Sequence, residues 1–315
     1  MREKQIKVPY FKGHFLPNMF FLLCGLPKGS IVSIDVTKKC NLRCKHCYFY
    51  RSQQEEELSI DQWENRLKEL KTKYPLLYTA TWIGGEPLLR ADVIERCKKY
   101  FTHNLVVTNG TVELPRWPNM HYNISIDGDE NMHDMIRGQK GLYSKIIKNI
   151  SNKPELRMSG AMCINSLNKN TIGKVLEDFY DSNLSGFLFD FYTPMLGAQD
   201  DNLYIGGKEK DEILDQLIEY KRGKYSELIY LPVANMEYMK SYNMRRTIEK
   251  CPFKTKGLAL NTGGNIKKKC MMGENADCSK CGCVVPYFLH YKVNKKEIVR
   301  SMVEEIGDRL SGRNA

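Results

Sequence analysis

Strand-like and helix-like patterns alternate through the first two thirds of this 315-residue chain. Six short runs typical of strands recur there, at 31–36, 77–83, 104–110, 122–128, 158–164 and 186–192, and the first is rich in β-branched residues. Between the first two runs, a capping box from Ser59 to Gln62 precedes Trp63 and Leu67 at helical spacing. Repeated strand and helix predict a parallel sheet with right-handed crossovers, and therefore an α/β fold.

Composition sets broad limits on function. The chain is 42% hydrophobic and 27% charged, which is typical of a globular protein. Its 48 Lys and Arg against 37 Asp and Glu give a net charge of +11. This excess favours anionic partners such as nucleic acid or a lipid surface, although scattered basic residues are more typical of a solvated surface.

Cysteine usage indicates a reducing compartment. Eight of the 11 cysteines fall in two clusters, which is unusual for a disulfide framework. The first residues show no cleavable signal pattern, so we expect a cytoplasmic protein. Cys24, Cys97 and Cys163 stand alone in apolar or helical contexts, which favours structural roles.

The first cluster follows the first predicted strand, where α/β barrels place their chemistry. Cys40, Cys44 and Cys47 lie within eight residues, so one tight loop can turn all three sulfurs toward a common point. A structural zinc site needs four ligands, and the nearest fourth candidate is His46. Three thiols alone suit a 4Fe-4S cluster whose fourth iron stays open.

This Cys-x3-Cys-x2-Cys triplet, with His46 before the third cysteine, resembles the signature of the radical S-adenosylmethionine (SAM) superfamily. The resemblance implies that Cys40, Cys44 and Cys47 hold a catalytic 4Fe-4S cluster. SAM would bind its open iron and be cleaved to methionine and a 5'-deoxyadenosyl radical. The resemblance also implies a partial (β/α)6 barrel of the TIM type, which matches the six predicted strands.

A second motif, Gly84-Gly85-Glu86-Pro87, follows the second predicted strand. Glycines let main chain approach a ligand closely, and a carboxylate can accept hydrogen bonds from an ammonium group. In the superfamily this loop receives the amino group of SAM, and Gly84, Gly85 and Glu86 match it. Arg137 matches a loop arginine that would pair with the SAM carboxylate. Polar residues at later strand ends match contacts to the rest of SAM: Thr108, Asn109, Ser125, Asp127 and Asn165.

The second cluster surrounds residues 257–267, whose alternation and Gly-Gly turn predict a hairpin. Its thiols are Cys251, Cys270, Cys278, Cys281 and Cys283. This pattern resembles the start of the SPASM and twitch extensions of radical SAM enzymes, which implies one auxiliary 4Fe-4S cluster. The expected ligands are Cys251, Cys270, Cys278 and one of Cys281 or Cys283. A structural zinc ribbon and a cluster with an open iron are the alternatives.

We predict four regions. Residues 1–30 cover the barrel, and 31–195 form the radical SAM core. Residues 196–250 form a helical bridge with helices at 208–221 and 237–250. Residues 251–315 hold the auxiliary cluster and a C-terminal helix at 293–310. The apolar run at 19–26 is too short to span a bilayer, and either covers the barrel floor or contacts a membrane surface.

The predicted function is radical-based modification of a peptide, protein or biosynthetic small molecule. A lipid or isoprenoid substrate is an alternative, because of the apolar run and the basic surface. A third hypothesis is a non-catalytic zinc or iron-sulfur protein that binds nucleic acid. The enzyme hypothesis implies an electron donor such as flavodoxin or ferredoxin.

Overall fold

The computed structural model describes residues 27–51, 56–151, 153–197, 201–249 and 251–288, with positions 299 and 303. The apolar run at 19–26 and Cys24 lie outside these residues. So does the C-terminal helix predicted at 293–310, apart from those two single positions.

Within the described residues, seven strands form one parallel sheet, which confirms the α/β class and the partial barrel. The strands are β1 (Ile31–Asp35), β2 (Thr79–Ile83), β3 (His103–Thr108), β4 (Met120–Ser125), β5 (Arg157–Ile164), β6 (Phe187–Phe191) and β7 (Leu258–Leu260). Their order across the sheet is β6-β5-β4-β3-β2-β1-β7. Because every pair is parallel, all the carboxyl ends lie at one edge.

The seventh strand corrects the prediction of six. The hairpin turn expected at 257–267 is present, since Leu260 and Ile266 form an antiparallel bridge. Its first arm, however, also pairs with β1 in parallel, with Leu260 opposite Ile34. Three consecutive buried residues make β7 suitable for a position inside the fold. The hairpin within the second cysteine cluster therefore lies directly beside the first strand.

Ten α-helices are found in the part of the chain that the structure describes. They are α1 (Ile60–Lys73), α2 (Ala91–Cys97), α3 (Glu130–Arg137), α4 (Leu142–Ile150), α5 (Ile172–Asp178), α6 (Gly207–Arg222), α7 (Val233–Met239), α8 (Met244–Glu249), α9 (Pro252–Thr255) and α10 (Val285–Phe288). The capping box at α1 is confirmed: Ser59 Oγ accepts from the Gln62 N–H, and Gln62 Oε1 accepts from the Ser59 N–H.

A single helix predicted at 237–250 is wrong. The chain leaves α7 at Met239, and Asp211 explains the break. Its carboxylate accepts hydrogen bonds from the main-chain N–H and the hydroxyl of Ser241, at 2.7 and 2.6 Å. A side chain that takes over a main-chain donor competes with helix formation.

One hydrophobic core lies between the sheet and the helices. Phe187 and Phe189 of β6 point into it, as do Leu214 and Leu217 of α6. Residues beyond 195 therefore share the core of the strands, and the predicted region boundaries stay predictions. Alternate residues of each strand face the opposite, inner side of the sheet.

Candidate functional site

The two sequence motifs lie against each other at the carboxyl edge of the sheet. The Gly85 N–H donates to the carbonyl of Thr37 at 2.8 Å, and the Glu86 N–H donates to the carbonyl of Lys39 at 2.8 Å. Gly84 has a φ of 129°, which favours glycine. The glycine loop therefore packs on the main chain that leads into Cys40.

Other contacts fix the cysteine loop from two sides. Asn41 donates to Thr111 Oγ1 at 2.8 Å and accepts from Asn109 Nδ2 at 2.9 Å, which ties the loop to the end of β3. On the far side, the Lys45 N–H donates to the carbonyl of Ile136 in α3 at 2.9 Å. The sequence prediction did not include Asn41, whose position directly after Cys40 was the available signal.

The three thiols of this loop suit a soft metal centre. Cys40, Cys44 and Cys47 are all free and partly exposed. Burial raises the pKa of Cys44 to about 11; Arg137 opposes this, whereas Cys47 and Cys40 add to it. The thiol charges therefore act on one another, and a metal would have to displace the protons on binding. These thiols fit a cluster held at three corners.

Glu86 anchors the glycine loop. The residue is 1% exposed, and its carboxylate accepts from Thr108 Oγ1 and the Asn109 N–H at 2.8 Å, and from the Leu88 N–H at 3.1 Å. Burial raises the pKa of Glu86, whereas these donors favour its ionised form. The carboxylate thus joins the loop to the end of β3. Its contact with the amino group of SAM stays a prediction.

Arg137 and Asp127 form a buried ion pair. Arg137 Nε and Nη2 lie 2.7 and 2.6 Å from Asp127 Oδ2, and Arg137 is 8% exposed. Burial would raise the pKa of Asp127, but Arg137 and two histidines lower it to about 2. Asp127 therefore orients the guanidinium, whose predicted contact with the SAM carboxylate stays untested.

Three further residues contact Asp127, and the sequence prediction placed none of them beside it. His46 Nε2 lies 3.4 Å from Asp127 Oδ2, and His133 Nδ1 accepts from the Asp127 N–H at 3.0 Å. Asn168 Nδ2 donates to the Asp127 carbonyl at 3.0 Å. The sequence signal that could have indicated these contacts is a helical stretch that contains His133 and follows directly after the polar end of a strand. These contacts fix the end of β4.

The other two predicted contacts lie at the same edge of the sheet. Ser125 ends β4 and is partly exposed, opposite in orientation to the buried Ile124. Asn165 follows β5 and is fully buried; its amide donates to the Cys163 carbonyl at 3.0 Å and accepts from the Leu167 N–H at 3.0 Å. The structure thus brings every predicted SAM contact to one edge, with the Asn165 side chain already hydrogen-bonded locally.

Residues 34–179 match the sequence model of the radical SAM superfamily. This segment is therefore a radical SAM domain. The chain is 31% identical over 170 residues to the sporulation killing factor maturation protein SkfB of Bacillus subtilis, covering 50% of this chain and 40% of SkfB. It is 30% identical over 155 residues to the pre-heme d1 synthase of Dinoroseobacter shibae, covering 44% and 37%. The chain thus spans less than half the length of these relatives.

Solved structures share the fold. Streptococcus suis SuiB bound to precursor peptide SuiA matches with a TM-score of 0.62 at 12% identity, over 83% of this chain and 65% of SuiB. Native anSMEcpe with bound AdoMet matches with a TM-score of 0.60 at 15% identity, over 86% of this chain and 84% of anSMEcpe.

None of the helices in the described residues is both long and apolar enough to cross a bilayer.

The second cysteine group lies at the same edge of the sheet as the first. The Gly282 N–H donates to Thr193 Oγ1 at 2.8 Å, and the Gly282 carbonyl accepts from the Phe191 N–H at 2.9 Å. This segment is thereby attached to the end of β6. One cavity is lined by all five thiols: Cys251, Cys270, Cys278, Cys281 and Cys283. No three potential ligands in the described residues already form a site for a single metal ion.

Charged residues connect the second group to the radical SAM core. Lys267 forms an ion pair with the buried Asp35 at the end of β1. Asp190 of β6 accepts from the Val284 N–H at 2.5 Å, and burial raises the pKa of Asp190 to about 6. Cys163 lies opposite Asp190 in the sheet register. The sequence prediction gave Lys267, Asp35 and Asp190 no role. The available signal was a carboxylate in each of two predicted strands, Asp35 in the first and Asp190 in the sixth.

Proposed function

We propose that this chain is an enzyme that binds SAM beside a 4Fe-4S cluster held by Cys40, Cys44 and Cys47. The cluster supplies the electron for reductive cleavage of SAM to a 5'-deoxyadenosyl radical. The observation that carries the proposal is the contact between Gly85 and the main chain of Lys39. It places the two diagnostic motifs of the superfamily side by side.

The residues around this contact would hold the amino-acid end of SAM. The main chain at Gly84 and Gly85 is free of side chains and adjoins the cysteine loop, where an ammonium group could be accepted. Arg137 is oriented by Asp127 and suits a carboxylate, because a guanidinium can bind two oxygens at once. Polar residues at the remaining strand ends would bind the ribose and adenine: Thr108, Asn109, Ser125 and Asn165.

We propose further that the second cysteine group holds one auxiliary 4Fe-4S cluster. Five thiols around one cavity provide more soft ligands than a single ion uses. Burial raises the pKa of Cys281 to about 12, and the neighbouring thiols that act on it are Cys251, Cys270 and Cys278. The proposed ligands are Cys251, Cys270, Cys278 and one of Cys281 or Cys283, since all five thiols line the cavity. The main influence on Cys283, besides burial, is Asp190.

The proposed substrate is a peptide or protein. SkfB and the Cysteine-type anaerobic sulfatase-maturating enzyme of Clostridium novyi are named for maturation of another polypeptide, and the SuiB structure contains a precursor peptide. A tetrapyrrole is the second candidate, because other relatives are heme-related synthases. A lipid substrate would depend on the apolar run at 19–26.

The proposed electron donor is an acidic redox protein such as flavodoxin or ferredoxin. Exposed basic residues surround the cysteine loop: Lys38, Lys39, Arg43 and Lys45. A positive surface beside the cluster would steer an acidic partner toward it. Dithionite can replace such a donor in the test below.

Iron and zinc counts on cysteine variants test both clusters. We expect about eight irons per chain in the reconstituted protein, as two 4Fe-4S clusters require. Cys44→Ala and Cys270→Ala should each lose about half of the iron. Stoichiometric zinc that disappears in Cys270→Ala would favour the zinc alternative.

Substrate class is tested by stimulation of 5'-deoxyadenosine formation. The probes are a pool of synthetic peptides of random sequence, Fe-coproporphyrin III, and vesicles that contain an isoprenoid lipid. We expect the peptide pool to raise the rate of 5'-deoxyadenosine formation. Some peptides of the pool should also change in mass. A rate raised by the porphyrin or the vesicles alone would contradict the peptide proposal.

A further inference from the structure

The second cysteine group is carried by two chain segments that lie on opposite edges of the sheet. The strand order runs from β6 to β7, so these two strands form the edges of the sheet in the described residues. Residues 251–270, here called the β7 arm, contain β7 and two of the five thiols. Residues 275–284, here called the β6 arm, follow after a turn and contain the other three.

The β6 arm is attached to the chain at the end of β6. The Gly282 carbonyl accepts from the Phe191 N–H at 2.9 Å, and the Gly282 N–H donates to Thr193 Oγ1 at 2.8 Å. A β-carbon on Gly282 would lie 2.0 Å from the Phe191 carbonyl oxygen, so the two main chains are in direct contact. The Asp277 N–H donates to the Pro194 carbonyl at 2.9 Å. These contacts fix the segment that carries three thiols against this edge.

The β7 arm is attached to the opposite edge, where β7 pairs with β1. The Lys267 N–H donates to the Ala259 carbonyl at 2.7 Å, which holds the second side of the hairpin on β7. Lys267 Nζ donates to the Met271 carbonyl at 2.6 Å, directly after Cys270. Cys251 precedes α9, which leads into β7. Both thiols of this arm are therefore positioned by the β7 edge.

Thiols from both arms meet in one cavity. The β7 arm supplies Cys251 and Cys270, and the β6 arm supplies Cys278, Cys281 and Cys283. A 4Fe-4S cluster without an open iron takes four thiolates. Three of the five thiols lie on the β6 arm and two on the β7 arm, so any set of four includes thiols from both. Whichever four thiols bind, the centre connects the two arms.

We propose that the metal centre of the second cysteine group is a clasp that holds the two edges of the open sheet together, an inference that rests on the auxiliary cluster proposed above. Four thiols that bind one centre fix the arms relative to each other, and each arm is fixed on its own edge strand. The free energy of metal binding therefore stabilises the closed arrangement of the two edges. The closed arrangement limits the access of water to the inner face of the sheet.

Hydrogen–deuterium exchange measured by mass spectrometry tests the clasp. The protein carries Ala in place of Cys40, Cys44 and Cys47, so that only the second group can bind a cluster. It is compared before and after anaerobic reconstitution with iron and sulfide, and its iron is counted. We expect amide exchange to slow by about tenfold or more in both the β6 arm and the β7 arm. Strands β3 and β4, in the middle of the sheet, are the internal control and should change less than about twofold.

A variant without Cys278, Cys281 and Cys283, each replaced by Ala, separates the clasp from local ordering. It keeps both thiols of the β7 arm, yet reconstitution should no longer slow exchange in that arm at the opposite edge. Cys163→Ala is the matched control, because Cys163 is a partly buried thiol of β5 outside the group. It should keep the slow exchange in both arms.

The outcomes separate the clasp from the cluster. Iron uptake with slower exchange in one arm alone, or with equal slowing in β3 and β4, would overturn the clasp and leave the auxiliary cluster in place. Slower exchange in the β7 arm of the variant without β6-arm thiols would also overturn the clasp. Protein that takes up no iron would instead refute the auxiliary cluster, and the clasp with it.

Discussion

Gly85 lies so close to Lys39 that a β-carbon on residue 85 would stand 2.1 Å from the Lys39 carbonyl oxygen. The next residue after Lys39 is Cys40, the first proposed cluster ligand. The absence of a side chain at Gly85 is therefore a condition for the position of the cysteine loop. This contact links the second sequence motif to the first.

Gly85→Ala should displace the cysteine loop and release the SAM-site cluster, since a main-chain carbonyl cannot move aside as a flexible side chain can. We expect about half of the reconstituted iron to be lost and 5'-deoxyadenosine formation to fall at least a hundredfold. Gly223→Ala is the control, because its added carbon would lie 3.4 Å from the nearest atom. Full iron in Gly85→Ala would show that the loop tolerates the displacement.

Glu86→Gln should weaken the same loop by a different route. An amide NH2 in place of one carboxylate oxygen would face the Thr108 hydroxyl or the Asn109 N–H and leave a buried donor without an acceptor. The expected cost is about 1–3 kcal/mol of unfolding free energy, with weaker SAM binding. Thr108→Ser, which keeps the hydroxyl that donates to Glu86 and accepts from the Gly110 N–H, should cost less. Urea unfolding and equilibrium dialysis with SAM measure the two effects, and equal stability of both variants would refute the assigned role.

Asp127→Asn should leave the buried guanidinium of Arg137 without a counter-ion. Breaking a buried pair costs about 3–5 kcal/mol, so the metal-free protein should unfold at much lower urea concentration. Asp178→Asn is the matched control, because Asp178 pairs with exposed Lys174 at the surface. That substitution should cost about 1 kcal/mol or less. Similar losses in the two variants would contradict the importance of the buried pair.

His133 should make stability depend on pH. Burial, and then the charge of Arg137, lower the pKa of His133 from 6.5 to about 4. The unfolded chain therefore takes up a proton first as pH falls. The free energy of unfolding should therefore fall by up to about 3 kcal/mol as the pH decreases from 6.5 to about 4. In urea unfolding of metal-free protein, the free energy of unfolding of His133→Gln should depend less on pH over this range. The same pH dependence in the variant and the unmodified protein would refute the lowered pKa of His133.

Much of the fold could be predicted because its signals are local. Strands β1 to β6 contain short runs of apolar residues, and Ser59 and Gln62 form a capping box that sequence spacing alone reveals. The helix expected at 237–250 failed because its break depends on Asp211, far away in the chain. Strand β7 was missed because three residues also suit a hairpin arm, and only pairing with β1 decides between the two.

The site could be predicted only where motifs are contiguous. Cysteine spacing and Gly84-Gly85-Glu86 identify the first centre. Side chains that meet across the fold are far apart in the chain, and no sequence pattern predicts their contact. Lys267 meets Asp35, and Gly282 meets Thr193, only through tertiary packing. For the same reason the sequence could name Arg137 as a SAM contact but not Asp127 as the group that orients it.

The most direct measurement is 5'-deoxyadenosine formation by anaerobically reconstituted protein with SAM and dithionite, compared with Cys44→Ala. We predict product from the unmodified chain, and none from the variant while it keeps its auxiliary iron. Product from Cys44→Ala would show that the triplet does not hold the reactive cluster. No product from the unmodified chain, together with stoichiometric zinc, would contradict the radical SAM function altogether.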